Sequence, residues 1–156
     1  ANKQLSENQF KGKLAYKGDV SGTVQKGLEE NYVSIVELNK ALLEIICAYL
    51  KINTPLKIFS EMNLQIEEAT SADEWALNIC REIPDANEYW NPPGGMDFFD
   101  RGKYAEAGID LKFQKMNLHP YYQGKTPFEE GLSIIDVMMF NSVEKINDML
   151  DDFELL

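Results

Sequence analysis

Between Pro55 and Gln114 the chain alternates short extended patterns with short helical ones, and this constrains its fold more than any other feature. Leu56-Lys57-Ile58-Phe59 and Ile109-Asp110-Leu111-Lys112-Phe113 alternate apolar with polar residues, as half-buried strands do, and Glu88-Tyr89-Trp90 reads as a strand between them. Ser71-Ala72-Asp73-Glu74 has the capping-box pattern, with Ser71 accepting from an orphan amide and Glu74 reaching back; Trp75, Ile79 and Cys80 then supply a helix's apolar positions. Asp100 to Ala107 predicts a second short helix ending at Gly108. Strand, helix, strand, helix, strand with short connections predicts an α/β fold: a small parallel sheet built from a βαβαβ unit.

Helices flank that unit. Val33, Val36, Leu38, Ala41, Leu42, Ile45, Ile46, Tyr49 and Leu50 recur at helical spacing until Asn53-Thr54-Pro55 stops the pattern. Leu132 to Phe140 is apolar almost all round and predicts a buried helix; Ser142 to Phe153 predicts another, capped by Asn141 or Ser142, with Ile146, Met149 and Leu150 inward. Residues 1–30 are polar and interrupted by Gly12, Gly18, Gly22 and Gly27, which predicts an irregular or junction segment. Residues 31–156 then form a single α/β domain; Ala1 in place of an initiating Met is compatible with a larger parent protein.

With 26 acidic against 15 basic residues, the net charge of −11 repels a phosphate backbone and argues against nucleic acid as a partner. No stretch approaches the ~18 apolar residues of a membrane span, and the start lacks the apolar core of a secretory signal, so the expected location is the cytoplasm. Cys47 and Cys80 are isolated on apolar helical positions and read as buried reduced thiols.

The loop Asn91-Pro92-Pro93-Gly94-Gly95 would join a strand's carboxyl end to a helix start, where open α/β sheets place ligands. Gly94 and Gly95 let backbone amides approach an anion, and a helix N-terminus adds partial positive charge; the same residues also make an ordinary turn. His119, the one histidine, is a candidate general base or an ordinary hydrogen-bonded surface residue, and one imidazole excludes a multi-histidine metal centre. Ser133 and Asp136 combine with His119 into a triad on paper, but Ser133-Ile134-Ile135-Asp136 is also a capping pattern and no G-x-S-x-G elbow accompanies it. Glu67-Glu68 and Glu129-Glu130 read as solvated faces and Met138-Met139 as core. Neither G-x-G-x-x-G nor a Walker pattern points to a cofactor.

The run from Leu132 through Phe140, Asn141 and Ser142, followed by the acidic end Glu154-Leu155-Leu156, resembles the carboxyl-terminal segment of the WbqC-like family. Asn91 to Gly95 is similar to that family's Asn-Pro and Gly-Gly loop, Gly108 to Phe113 to its following strand, and Tyr122-Gln123 with Phe128 to its next segment. The likeness runs from about Glu29 to Leu156, whereas residues 1–28 do not show the family's amino-terminal Gln-Pro-x-Tyr-Phe-Pro type motif. The resemblance implies a role in bacterial surface-polysaccharide and O-antigen biosynthesis, with a nucleotide sugar or acyl donor as ligand and acyl or aminoacyl transfer as one chemistry. It directs attention to Asn91, Gly94, Gly95, Tyr122 and Gln123 as ligand contacts, with His119 the catalytic candidate. The alternative is a non-catalytic assembly or scaffold module with a protein partner or a second copy of the chain.

Overall fold

In a computed structural model describing residues 17–124 and 127–156, the chain runs α1 (Lys17–Glu29), α2 (Ile35–Leu50), α3 (Glu74–Glu82), β1 (Glu88–Asn91), α4 (Arg101–Glu106), β2 (Asp110–Met116), α5 (Ile134–Phe140), α6 (Val143–Leu150) and β3 (Phe153–Leu155). These elements form two compact units. One comprises the residues up to Leu56 with Leu118–Asp151; the other comprises Lys57–Asn117 with Asp152–Leu156.

The first unit is helical. Val20, Leu50, Met138 and Ile146 are buried at its centre, with Val24, Ile46, Tyr49 and Leu150 against them. A capping box opens α2: the Ser34 hydroxyl accepts from the Glu37 amide while the Glu37 carboxylate accepts from the Val33 amide. Lys51, in the left-handed region at φ 60°, closes it, and Ile52 N–H bonds back to Cys47. Where the glycines predict irregular chain, residues 17–29 form α1, and the rest of that segment lies outside the described residues. Gly27 explains the difference: a Cβ there would lie 2.7 Å from Ile45 Cδ1, so the glycine is what lets α1 approach α2, and packing offsets its poor helix propensity. Cys47 is partly exposed rather than buried; Cys80, in the other unit, is buried, and burial pushes its thiol up.

The second unit is a three-stranded mixed sheet, in the order β1-β2-β3, with α3 and α4 packed on one face. β1 pairs parallel with β2, Tyr89 opposite Leu111 and Trp90 opposite Lys112. Leu77, Cys80, Tyr104, Ile109, Leu111 and Phe113 form the core. This is an α/β arrangement with one parallel crossover rather than the predicted βαβαβ unit. Leu56–Phe59 is not a strand: Glu61 and Met62 N–H close a 3-10 turn onto Ile58 and Phe59, satisfying the backbone locally. The third strand is β3, antiparallel to β2 with Gln114 opposite Leu155, and it begins at Phe153, the residue expected to end the last helix. That helix ends at Leu150, and the Asn117 amide and side chain hold Asp152 at the start of the new pairing. Arg101 secures the far end by donating to the Leu111 and Leu156 carbonyls at 2.9 and 3.1 Å. Ser133 and Ser142 cap α5 and α6 as expected. No described helix is long and apolar enough to cross a membrane.

An ion-pair network joins the start of α3 to α4. Lys103 Nζ lies 2.7 Å from Glu74 and 3.7 Å from the buried Asp73 carboxylate. The hydrogen bond from Lys103, with others from the Thr70 hydroxyl and amide, holds the Glu74 carboxyl down at about 2, against an ordinary value of 4.5. A depressed folded-state value means that Glu74 stabilises the fold above its unfolded value and loses that contribution as pH falls through about 2. Acid titration of unfolding midpoints should therefore fall more steeply for the native protein below pH 4.5 than for Glu74→Gln. Parallel profiles would show the network to be energetically silent.

Candidate functional site

Three of the expected ligand contacts lie in the sheet unit. Asn91 ends β1; Pro93–Gly95 forms a 3-10 turn, and five residues separate Gly95 from the start of α4. The Asn91 amide is used within the loop: Nδ2 donates to the Pro92 carbonyl at 2.9 Å, and Oδ1 accepts from the Tyr89 hydroxyl at 3.2 Å. The two glycines differ in role. Gly95 is buried, and a Cβ there would meet Asn91 Nδ2 and Phe99 Cε2, the latter at 2.9 Å, so this position requires glycine for packing. Gly94 is exposed and a Cβ would meet nothing within 4 Å, which leaves its main chain open to a ligand. The start of α4 offers no comparable opening, because the Asp100 carboxylate already accepts from the Gly102 and Lys103 amides.

The remaining candidates lie in the helical unit, on the stretch after Leu118. His119 is exposed. Tyr122 is 54% exposed and sets its ring edge-on to Phe140. Gln123 acts as a clasp: its Oε1 accepts from the Glu129 amide at 2.7 Å and its Nε2 donates to the Glu129 carbonyl at 2.9 Å, so one side chain engages a peptide as a neighbouring strand would. Nε2 also lies 3.1 Å from Asp136, whose carboxylate accepts from the Tyr121 hydroxyl at 2.7 Å. Burial, reinforced by the Asp136 carboxylate, pushes the Tyr121 phenol up to about 12. Tyr121 is thus a held hydrogen-bond donor rather than a ready proton source. Ser133 is engaged as a helix cap, accepting from Ile135 N–H.

Sequence reasoning therefore divides its candidates between two units, Asn91, Gly94 and Gly95 in one and His119, Tyr122 and Gln123 in the other. It names Asp136 only in the triad on paper and does not foresee its pairing with Tyr121, a contact between residues 15 positions apart. It also passes over Trp90, although strand alternation alone sets that side chain opposite to Tyr89. Among the described residues no three His, Cys, Asp or Glu side chains are grouped as a metal site requires.

Residues 3–148 match the WbqC-like protein family. The chain belongs to that family. The match reaches well before Glu29, so the WbqC-like character covers nearly the whole chain and is not confined to its carboxyl-terminal portion. The uncharacterized protein Rv1507c of Mycobacterium tuberculosis is 31% identical over 124 residues, which is 79% of this chain and 51% of the relative. The chain thus spans about half the length of the curated relative it matches. No solved structure matches it.

Proposed function

We propose that this WbqC-like protein serves bacterial surface-polysaccharide (O-antigen) biosynthesis in the cytoplasm, as a transferase acting on an activated sugar that meets the main chain at Gly94. Family membership supports the role, and the observation that carries the site is the open space around Gly94 beside the tightly packed Gly95. A nucleotide sugar or an acyl donor is the expected ligand class.

The experiment is thermal unfolding against a panel of nucleotide sugars and acyl-coenzyme A donors, with the native protein and Gly94→Val compared. Gly94 lies outside the left-handed region and its surroundings are empty, so the variant should keep its fold. A ligand at 100 times its dissociation constant adds about 2.7 kcal/mol, and that gain should disappear in Gly94→Val. Gly95→Val makes a poor probe, because its Cβ disturbs Asn91 and Phe99 and lowers stability without any ligand. Stabilisation that survives in Gly94→Val would remove the loop from the site.

The second reading, a non-catalytic assembly module, is favoured by the apolar surface of α2 and its approach: Val33 is 94% exposed and Leu43 51%. Its signature is a stable complex with a protein partner and no ligand-dependent stabilisation.

A further inference from the structure

The sheet face opposite the core bears a second arrangement that the Gly94 loop does not use. Leu111 and Phe113 point toward α3 and α4, so strand alternation places Glu88, Trp90, Asp110 and Lys112 on the other face, joined by Phe153 from β3. Trp90 remains 41% exposed there, yet its indole is held from three sides. Nε1 donates to Glu88 at 2.9 Å, the Phe153 ring stands edge-on at 5.7 Å, and the Lys112 ammonium lies 5.9 Å from the ring centroid. Lys112 is fixed in turn by Glu88 and by Asp110 at 3.2 Å.

We infer that this face is a sugar-binding platform on which a neutral or amino-bearing pyranose lies against the Trp90 indole. The inference goes beyond the transfer reaction, because holding a pyranose here requires no chemistry at Gly94. Three features select this occupant. A pre-oriented indole offers a flat apolar surface at little cost in side-chain entropy, and a pyranose has a matching face of C–H groups. The carboxylates of Glu88 and Asp110 accept hydroxyl protons or pair with an amino group, but repel phosphate and other anions. An apolar protein surface would have to desolvate the Lys112 ion pairs, whereas sugar hydroxyls take the place of the water on them.

Both tryptophans of the chain, Trp75 and Trp90, lie in this unit, so Trp75→Phe leaves Trp90 as the one indole reporter. Titrating that protein with methyl glycosides of neutral and amino hexopyranoses should give a saturable change in emission with a dissociation constant in the millimolar range. In otherwise native protein, binding read by ligand-observed NMR should weaken about tenfold or more in Trp90→Ala, and less in Trp90→Phe, which keeps an aromatic face and the fold. Glu88→Gln should weaken amino sugars more than neutral ones. The absence of a saturable response, or binding undiminished in both Trp90 variants, overturns the platform while leaving the Gly94 test untouched.

Discussion

Replacing Tyr104 with alanine should destabilise the sheet unit by about 3–5 kcal/mol, the largest effect expected of any single substitution considered. The side chain is fully buried, and its ring lies against Tyr89 and Phe99 at centroid distances of 5.8 and 5.9 Å. Its hydroxyl donates to the Asp73 carbonyl at 2.8 Å, and burial drives the phenol well above its usual value, keeping it a donor at every physiological pH. Alanine would therefore leave a ring-sized cavity and an abandoned carbonyl together. Tyr104→Phe separates the two contributions, since it keeps the ring and should lose only about 1 kcal/mol. Denaturant unfolding followed by tryptophan fluorescence is the appropriate measurement, because Trp75 and Trp90 report on this unit alone. Equal losses for the two variants would mean that the hydrogen bond, and not the ring packing, dominates.

Asp73→Ala should cost about 2–4 kcal/mol by the same measurement, although the residue lies in a segment that reads as an ordinary helix start. Its carboxylate, 2% exposed, accepts from the Ser71 hydroxyl and from the Asp100 amide, and pairs with Lys103. The Ser71 hydrogen bond, more than the other contacts, lowers the Asp73 carboxyl below its ordinary value. Alanine strands the Asp100 amide, and Lys103 loses one of its two carboxylate partners, keeping Glu74 and the Ser71 hydroxyl. Asp73→Asn preserves size and some hydrogen bonding and should fall between native and alanine. A loss below about 0.5 kcal/mol for alanine would show that water replaces the carboxylate without penalty.

Much of this was legible in the sequence where the determining interactions are local. The periodicity of α2, the serine caps of α5 and α6 and the alternation of β2 all depend on residues a few positions apart. Glu74 does reach back as its capping pattern predicts, but Ser71 caps no helix amide: its hydroxyl donates to the buried Asp73 carboxylate and accepts from Lys103, 32 positions away in the chain. Gly27 illustrates the opposite limit: by propensity it weakens a helix, and only the proximity of Ile45 and Leu42 shows why α1 forms through it. Gln123 was a plausible ligand contact by type, but its two amide atoms are taken up by Glu129 once the loop folds.

The sequence by itself determined family membership, the α/β class, most helices and the two strands that pair in parallel. The tertiary structure decided which segment completes the sheet. Leu56–Phe59 and Phe153–Leu155 both alternate well enough to be strands, but a strand exists only where a partner accepts its hydrogen bonds, and β2 provides that edge to β3. The fold likewise decided which glycine is free and which polar side chains are already engaged. Such choices rest on contacts between residues remote in the chain, whereas a helix closes its hydrogen bonds within a single turn and records them in local sequence.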